Sequence, residues 1–292
     1  WGAKTIYTFF KEKIKKNIFF FNNLDSGSHT SFKKIKNLRN SCFVVISKSG
    51  NTLETLTNLD IIFSKKLMKN KLVVITEIKD SDLIKVANKY GAEIIEHKDF
   101  IGGRYSVMSE AGMFPAALMG LNTIKFKNLK KLLNNKNFIS SLIYNVSCIY
   151  ALSKKGIRNS VILNYDSRLN DFCYWYQQLV GESLGKKGKG IMPIISSCPR
   201  DHHSLLQLYL DGPKDKFFTF FSTTTKGSKK IESVINAQCK ATKSIFSKKK
   251  IPYRQFTFKN KNESELGSVF TFFVLETILL SYLMDVNPYD QP

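Results

Sequence analysis

Short apolar runs alternate along this chain with stretches whose apolar residues recur at helical spacing. In the first half, four apolar runs predict strands at residues 17–21, 42–47, 71–76 and 92–96. A helical pattern at residues 81–90 is followed by Gly91, a typical helix stop. Strands that alternate with helices in this way predict a mostly parallel sheet covered by helices.

The second half of the chain repeats the pattern. Helices are predicted at residues 138–154, 168–181, 228–246 and 263–284, and strands at residues 160–164 and 217–221. A polar, lysine-rich stretch at residues 122–137 separates the halves. We therefore predict an α/β protein with a first domain over residues 1–125, a connector over 126–137 and a second domain over 138–292. Open sheets of this kind bind ligands at the carboxyl ends of their strands.

The composition indicates the cellular environment in which the protein folds. The most apolar segment, residues 269–284, is short for a membrane span and contains Glu276, so we expect a core helix and no membrane association. The five cysteines are scattered, odd in number and without C-x-x-C pairing. They predict neither a disulfide framework nor a zinc site, and they favour a reducing, cytoplasmic environment.

The net charge of +22 suggests a polyanionic partner at first sight. The lysines, however, are spread through the whole chain, and no recognised nucleic-acid module accompanies them. We therefore interpret the charge as mainly solvated surface that helps to attract anionic metabolites. Specific binding of nucleic acid is not expected.

A cluster of hydroxyl groups lies where the strand at 42–47 gives way to the next helical pattern. Ser47, Ser49, Thr52 and Thr55 surround the predicted helix start. Free backbone N–H groups and the positive end of the helix dipole suit a bound phosphate there. Ordinary N-capping is the alternative interpretation. Four hydroxyls exceed what one cap needs, and the phosphate interpretation is therefore favoured.

Three further stretches contain candidate catalytic groups. Gly103 and Arg104 stand in a Gly-Gly-Arg turn, which suits either a charge-stabilising guanidinium or an ordinary surface arginine. Glu182 lies where a helix meets a glycine-lysine loop, so it is a candidate general base or an ion-pair partner. His202 and His203 stand together in a loop that enters a helix, where they either transfer protons or merely cap and solvate the loop.

Five motifs together resemble the glucose-6-phosphate isomerase (phosphoglucose isomerase) family, which has the sugar-isomerase (SIS) fold. The motifs are Ser-Lys-Ser-Gly-Asn-Thr-Leu-Glu-Thr, Gly-Gly-Arg-Tyr-Ser-Val, Gln-Gln-Leu-Val-Gly-Glu-Ser-Leu-Gly-Lys, His-Ser-Leu-Leu-Gln-Leu-Tyr-Leu-Asp-Gly-Pro and Asn-Pro-Tyr-Asp-Gln-Pro, at residues 47–55, 102–107, 177–186, 203–213 and 287–292. They follow in the family's order and cover essentially the whole chain. The resemblance implies two SIS-type domains that interconvert D-glucose 6-phosphate and D-fructose 6-phosphate through ring opening and a cis-enediol intermediate.

The resemblance also implies roles for individual residues. Glu182 matches the family's base, Arg104 the arginine that stabilises the intermediate, and His203 the ring-opening histidine, with His202 at a neighbouring, less constrained position. The sugar phosphate is assigned to Ser47, Ser49, Thr52 and Thr55, and the remaining substrate-binding residues are Gly103, Gln178 and Gln291. The family's histidine reaches the neighbouring subunit's site, so a homodimer with shared active sites is implied. No metal or organic cofactor is implied.

The chain departs from the family's pattern at both ends. The family has a Gly-Ile-Gly-Gly-Ser loop upstream of Trp1 and a helix with a sugar-contacting lysine downstream of Pro292, so we expect an internal part of a longer enzyme. Whether such a part is active alone is left open. A dual phosphoglucose/phosphomannose isomerase and a non-catalytic SIS module that binds sugar phosphate are the alternative functions. The joint presence of Glu182, Arg104 and His203 argues against the non-catalytic module.

Overall fold

The computed structural model describes residues 1–35, 38–62, 71–224 and 229–290. The chain forms two compact units. The N-terminal unit comprises Gly2–Lys4 and Lys15–Gly120, and the C-terminal unit comprises Trp1, Thr5–Ile14 and the chain from Leu121 onward. The division between the units thus falls close to the predicted connector, while the domain limits drawn from the sequence stay a prediction.

In both units of the described chain, helices separate the strands along the sequence. The helices are α1 Gly2–Phe10, α2 Ser26–Lys33, α3 Leu53–Ile62, α4 Asp82–Tyr90, α5 Glu110–Leu118, α6 Thr123–Phe126, α7 Leu129–Leu133, α8 Lys136–Lys154, α9 Asn170–Leu184, α10 Leu206–Asp211, α11 Lys229–Lys248 and α12 Glu263–Leu283. The strands are β1 Cys42–Ile46, β2 Lys71–Thr76, β3 Glu93–Glu96, β4 Asn159–Asn164, β5 Met192–Ser197, β6 Lys216–Thr223 and β7 Tyr253–Phe258. The predicted connector is thus occupied by short helices.

The N-terminal unit is built on a parallel sheet with the strand order β1-β2-β3. Its central strand, β2, is a run of aliphatic residues, and Val73, Val74 and Ile75 are completely buried. Such a run is expected of a parallel strand that is covered on both faces. The strands predicted at 42–47, 71–76 and 92–96 are confirmed to within one residue.

Helix α4 begins and ends where the local sequence predicts. The hydroxyl of Ser81 accepts a hydrogen bond from the backbone N–H of Ile84 at 3.4 Å, which satisfies one of the free amides of the first turn. Gly91 ends the helix in the left-handed conformation at φ +61°. Local signals therefore set both ends of this helix.

The strand predicted at residues 17–21 is wrong. That segment pairs with no strand in the described part of the chain, and the side chain of Phe19 is 57% exposed. Phe21 instead packs edge-on against the ring of Phe32 in α2, with 5.3 Å between the ring centroids. The apolar run therefore covers a helix, a role that a short run of this kind does not reveal by itself.

The C-terminal unit contains a second parallel sheet with the strand order β5-β4-β6-β7. On one face, residues of β4 and β6 such as Leu163 and Phe220 join Phe246 of α11 in a continuous core. On the other face, Phe221 packs against Phe172 of α9 and Phe273 of α12, with 5.4 Å and 5.8 Å between ring centroids. The sheet is thus covered by helices on both faces.

The edge strands of this sheet, β5 and β7, escaped the sequence analysis. Edge strands are buried less completely than central ones, and neither of these carries an uninterrupted apolar run. Pro193 interrupts the pattern in β5, and Arg254 and Gln255 interrupt it in β7. Proline and polar residues are tolerated at an edge because one side of the strand needs no partner.

Helix α12 runs through the core of the C-terminal unit and carries a buried ion pair. Glu276, 1% exposed at its side chain, pairs with Arg254 of β7. Arg254 also donates to Thr219 Oγ1 at 2.9 Å and to the hydroxyl of Tyr176 at 3.1 Å. Paired and hydrogen-bonded in this way, the two charges are compatible with burial.

Among the described residues, α12 is the one helix that is long and apolar enough to cross a membrane. Half of its most apolar stretch lies inside the C-terminal unit. Leu266, Phe270 and Phe273 are buried there together with the charged Glu276. In this fold the segment packs as the core helix expected from the sequence, and the helix predicted over residues 263–284 is confirmed to within one residue.

Candidate functional site

The hydroxyl-rich loop follows β1 at the carboxyl end of the first sheet. Ser47 is 6% exposed, and its Oγ lies 2.8 Å from Oγ1 of Thr52. The backbone N–H of Gly50 donates to the same Ser47 oxygen at 3.2 Å. Ser47 therefore fixes the loop from inside and brings the Thr52 hydroxyl to the start of α3.

Gly50 is the residue that allows this turn. It has φ +73°, in the left-handed region, and a Cβ added to it would lie 2.7 Å from the Cβ of Ser81. Its carbonyl accepts the backbone N–H of Leu83 at 3.0 Å, and the side-chain oxygen of Asn51 accepts that of Asp82 at 3.0 Å. The loop is thus docked on the first turn of α4, a contact that the sequence analysis did not foresee.

The hydroxyl groups of the loop differ in their access to solvent. Ser49 and Thr52 are exposed and Thr55 is half-buried, whereas Ser47 is buried. Thr52 directly precedes α3, and its carbonyl accepts the backbone N–H of Leu56 at 3.0 Å. Solvent-facing hydroxyls beside the N-terminus of a helix are well suited to an anion.

Arg104 lies in the same unit as the loop, and the surface-arginine interpretation is wrong. It is 1% exposed and belongs to the short 3-10 helix Gly103–Met108. Its guanidinium carbon lies 5.2 Å from the centroid of the Tyr105 ring. A Cβ added to Gly103 would meet no atom within 4 Å, so space is left open beside the arginine.

Two further polar residues at this sheet edge were missed by the sequence analysis. Glu77 follows β2 and His97 follows β3, as Ser47 follows β1. Both are buried, and Glu77 forms ion pairs with Lys48, at 3.5 Å, and with Lys79. Burial raises the pKa of Glu77, but its two lysine partners outweigh this and lower the pKa overall. Neither residue belongs to a recognisable motif. Its position directly after a predicted strand is therefore the one sequence signal that could have marked it as a site residue.

Glu182 lies in the last turn of α9, in the C-terminal unit. Its Oε1 accepts a hydrogen bond from Nε2 of Gln178 at 2.9 Å, one turn earlier in the helix. The neighbouring Gln177 donates instead to the carbonyl of Pro193 in β5 at 2.8 Å. The structure therefore brings two predicted site residues, Gln178 and Glu182, into direct contact, with the carboxylate half-buried.

The loop that follows α9 is tied to the segment 287–290. The ammonium group of Lys186 donates to the carbonyls of Asn287 and Asp290 at 2.6 Å and 2.7 Å. Lys189 lies 3.4 Å from the carboxylate of Asp285. Gln291, which the sequence analysis assigned to the substrate, lies outside the described residues.

His202 is the last residue of the 3-10 helix Arg200–His202, and His203 follows it ahead of α10. His203 is exposed, while His202 is half-buried and its Nε2 lies 2.8 Å from the hydroxyl of Tyr165. Burial, followed by the nearby His203, lowers the pKa of His202. Tyr165, which is 37 residues earlier in the sequence, therefore holds the ring of His202, a contact that the sequence analysis did not foresee.

A charged cluster occupies the carboxyl end of β4. The carboxylate of Asp166 accepts hydrogen bonds from the guanidinium of Arg168, at 2.6 Å from Nη2, and from the hydroxyl of Thr223. Burial raises the pKa of Asp166, but the hydrogen bonds from Arg168 and Thr223 outweigh it and the pKa is lowered overall. These groups satisfy one another and stabilise the edge of the second sheet.

The predicted site residues are thus distributed over both units. Ser47, Ser49, Thr52, Thr55, Gly103 and Arg104 lie in the N-terminal unit, and Gln178, Glu182 and His203 lie in the C-terminal unit. Within the units, the structure joins Ser47 to Thr52 and Gln178 to Glu182. Apart from Gln178, which lies within α9, these candidates lie in a loop, in a short 3-10 helix or near the end of a helix, as is usual for functional groups on α/β scaffolds.

Solved structures share this fold. A hypothetical protein from Thermus thermophilus is 21% identical with a TM-score of 0.85, and the match covers 100% of this chain and 77% of that one. A glucose-6-phosphate isomerase from Chlamydia trachomatis is 21% identical with a TM-score of 0.77, over 99% of this chain and 64% of that one. The predicted α/β fold with two SIS-type parallel sheets is confirmed.

Sequence comparisons identify the family. The family model for phosphoglucose isomerase matches residues 3–192. A glucose-6-phosphate isomerase from Methanocaldococcus jannaschii is 32% identical over 100% of this chain and 78% of its own length. Another from Mycoplasmopsis synoviae is 30% identical over 100% of this chain and 76% of its own length. The resemblance noted in the sequence is confirmed, and the chain belongs to the phosphoglucose isomerase family.

Proposed function

We propose that this chain interconverts D-glucose 6-phosphate and D-fructose 6-phosphate, as an aldose-ketose isomerase that works through ring opening and a cis-enediol intermediate. The observation that carries the proposal is the carboxylate of Glu182, held by the amide of Gln178 in a chain of this family. The reaction moves a proton between two adjacent carbons, so it needs one base that keeps its position throughout.

In the proposed mechanism Glu182 acts on the open-chain sugar. Its carboxylate takes the proton from C2 of the aldose, the electron pair of that bond forms the C1–C2 double bond, and the pair of the C1–O double bond moves to the C1 oxygen, which takes up a proton to complete the enediol. The C2 hydroxyl then loses a proton, its O–H electron pair forms the C2–O double bond of the ketone, and the C1–C2 pair takes the proton that the same carboxyl group returns to C1. The hydrogen bond from Gln178 to Oε1 holds the carboxyl group in place for both transfers.

The phosphate loop and Arg104 have electrostatic roles. Ser49, Thr52 and Thr55 bind the phosphate together with the first N–H groups of α3, and Ser47 holds the loop in shape from inside. Arg104 stabilises the negative charge that develops on the enediolate oxygens. Its burial supports this role, since a guanidinium with fixed surroundings needs little reorganisation when charge appears.

His203 is proposed to open the sugar ring by moving a proton between the ring oxygen and the C1 hydroxyl. In the family this histidine reaches the neighbouring subunit's site, and the exposure of His203 supports the same arrangement here. We therefore propose a homodimer with shared active sites. Gly103, Gln178 and Gln291 complete the sugar site, and the proposed location is the cytoplasm.

The substitution Glu182→Gln tests this function. In the full-length enzyme it should abolish isomerisation and the exchange of the C2 proton with solvent, with a loss of at least the ~10²–10⁴-fold typical of general-base catalysis. The matched control is Glu12→Gln, because Glu12 is another carboxylate of the C-terminal unit, with a side chain 76% exposed. Exchange at the wild-type rate in Glu182→Gln would mean that another residue is the base. Assaying mannose 6-phosphate, which gives the same enediol, tests the dual specificity.

A further inference from the structure

The turn that carries His203 is held from one side by the carboxylate of Asp201. Oδ2 of Asp201 accepts the backbone N–H of Ser197 at 2.7 Å and the hydroxyl of Ser196 at 3.2 Å, both at the end of β5. Oδ1 accepts Nε of Arg200 at 3.1 Å. With 14% of its side chain exposed, Asp201 thus connects the turn to the rigid sheet.

The same turn is held from the other side by His202. Its Nε2 lies 2.8 Å from the hydroxyl of Tyr165, which donates to Oγ1 of Thr242 in α11 at 3.2 Å. Tyr165 is 4% exposed, and its ring is stacked on Phe220 of β6 with an interplanar angle of 9°. His202 is therefore connected to the core of the C-terminal unit.

His203 differs from Asp201 and His202, which precede it. Its backbone N–H donates to the carbonyl of Arg200 at 3.2 Å, which keeps it in the turn, but its ring is exposed. Among the residues that the structure describes, no hydrogen-bond partner of the imidazole is seen. Asp201 and His202 thus anchor the two residues directly before His203, whose own side chain faces solvent.

We propose that Asp201 and His202 are positioning residues for ring opening, which hold the turn so that the His203 imidazole is presented in one direction. This inference rests on the proposed role of His203. A misplacement of about 1 Å can cost on the order of 10²-fold in rate. Loss of either anchor should therefore slow ring opening and leave the chemistry at Glu182 unchanged.

The test compares two substrates in the full-length enzyme. One is cyclic glucose 6-phosphate, and the other is its 4,5-dideoxy analogue, which lacks both hydroxyls that could close a furanose or pyranose ring. The variants are Asp201→Ala, Tyr165→Phe and His203→Ala, and the control is Asp211→Asn. Asp211 is an exposed carboxylate at the end of α10, paired with Lys249.

For Asp201→Ala we expect kcat on the cyclic substrate to fall by roughly 10- to 100-fold with an unchanged KM. Exchange of the C2 proton in the open-chain analogue should stay at the wild-type rate. Tyr165→Phe, which keeps the stacked ring and removes only the hydroxyl, should show the same split between substrates. In a His203→Ala background, Asp201→Ala should add almost nothing, since both changes remove one function.

Other outcomes separate this inference from the function on which it rests. If His203→Ala slows both substrates equally, the ring-opening role of His203 is wrong. A second outcome is that His203→Ala slows only the cyclic substrate, while Asp201→Ala and Tyr165→Phe slow both substrates equally or slow neither of them. That outcome would overturn the positioning role. Should Asp201→Ala fail to fold, Tyr165→Phe decides alone, because it changes a single hydroxyl group.

Discussion

The side-chain amide of Gln178 donates to Oε1 of Glu182 across one turn of α9, at 2.9 Å. The adjacent Gln177 makes an equally short bond of 2.8 Å to Pro193 and does not serve the carboxylate. Gln177 and Gln178, although adjacent and of the same type, therefore have different structural roles. One orients a side chain of the proposed site, and the other attaches α9 to the second sheet.

This difference predicts the behaviour of two alanine variants. Gln178→Ala should lower kcat about fivefold, corresponding to roughly 1 kcal/mol for one hydrogen bond to a partly exposed carboxylate. Gln177→Ala should lower the free energy of unfolding by a similar amount and leave kcat unchanged. Steady-state kinetics and denaturant titration of both variants check this pair. Equal kinetic losses in the two would contradict the orienting role of Gln178.

A second prediction concerns the phosphate loop. The double variant Ser47→Ala/Thr52→Ala removes both members of the hydroxyl pair and should weaken substrate binding by about 1–3 kcal/mol, since hydrogen bonds near a charged group contribute roughly that much. The Michaelis constant should rise by one to two orders of magnitude. Thr57→Ala, in α3 but outside the loop, is the control and should bind normally. An unchanged Michaelis constant in the double variant would refute the assignment.

The third prediction follows from the lowered pKa of Asp166. A carboxyl group whose folded pKa lies below its unfolded value stabilises the fold above the unfolded pKa of about 3.9, and this contribution is lost as pH falls through the folded pKa. Asp166→Asn should therefore be less stable than wild type by about 2 kcal/mol near neutral pH, with the difference shrinking in acid.

Denaturant titrations between neutral pH and about pH 3 measure this change. Asp285→Asn provides the control, because its carboxylate is 88% exposed and its contact with Lys189 is long, at 3.4 Å. That variant should follow the wild-type profile. A constant difference between Asp166→Asn and wild type at all pH values would show that the carboxylate does not act through its charge.

The fourth prediction concerns the buried pair of Arg254 and Glu276. Arg254→Met should reduce the free energy of unfolding by about 3–5 kcal/mol, because it leaves Glu276 buried without its partner. The double variant Arg254→Met/Glu276→Leu should recover most of this loss. Lys249→Met, which breaks an exposed pair with Asp211, should leave the free energy of unfolding nearly unchanged. Equal losses of unfolding free energy in Arg254→Met and Lys249→Met would contradict the idea that burial makes the Arg254–Glu276 pair important.

The parts of the fold that the sequence predicted are those governed by local signals. Helix α4 has its cap at Ser81 and its stop at Gly91, and the buried strands β2 and β6 carry nearly continuous apolar runs. Each of these signals lies within a few residues of the feature that it produces. The edge strands β5 and β7 have mixed patterns, and only their pairing with a central strand defines them.

The same distinction applies to the candidate site. The hydroxyl cluster was evident from its residue types and spacing, whereas Glu182 and His203 were singled out by the resemblance of their motifs to the family. The burial of Arg104, the docking of Gly50 on Ser81 and the anchoring of His202 by Tyr165 were not evident from the sequence. Each of these depends on residues that only folding brings together, and a sequence pattern contains no record of such contacts.

The attachment of Lys186 to the segment 287–290 has a consequence for how disturbances spread through the C-terminal unit. Lys186 follows Glu182 by one helical turn, and its ammonium group is bonded to two backbone carbonyls of that segment. A displacement of residues 287–290 is thereby transmitted mechanically to the end of α9. A change that loosens residues 287–290 should consequently raise the rate of amide hydrogen exchange in the last turn of α9 as well, and a change that orders them should lower both rates.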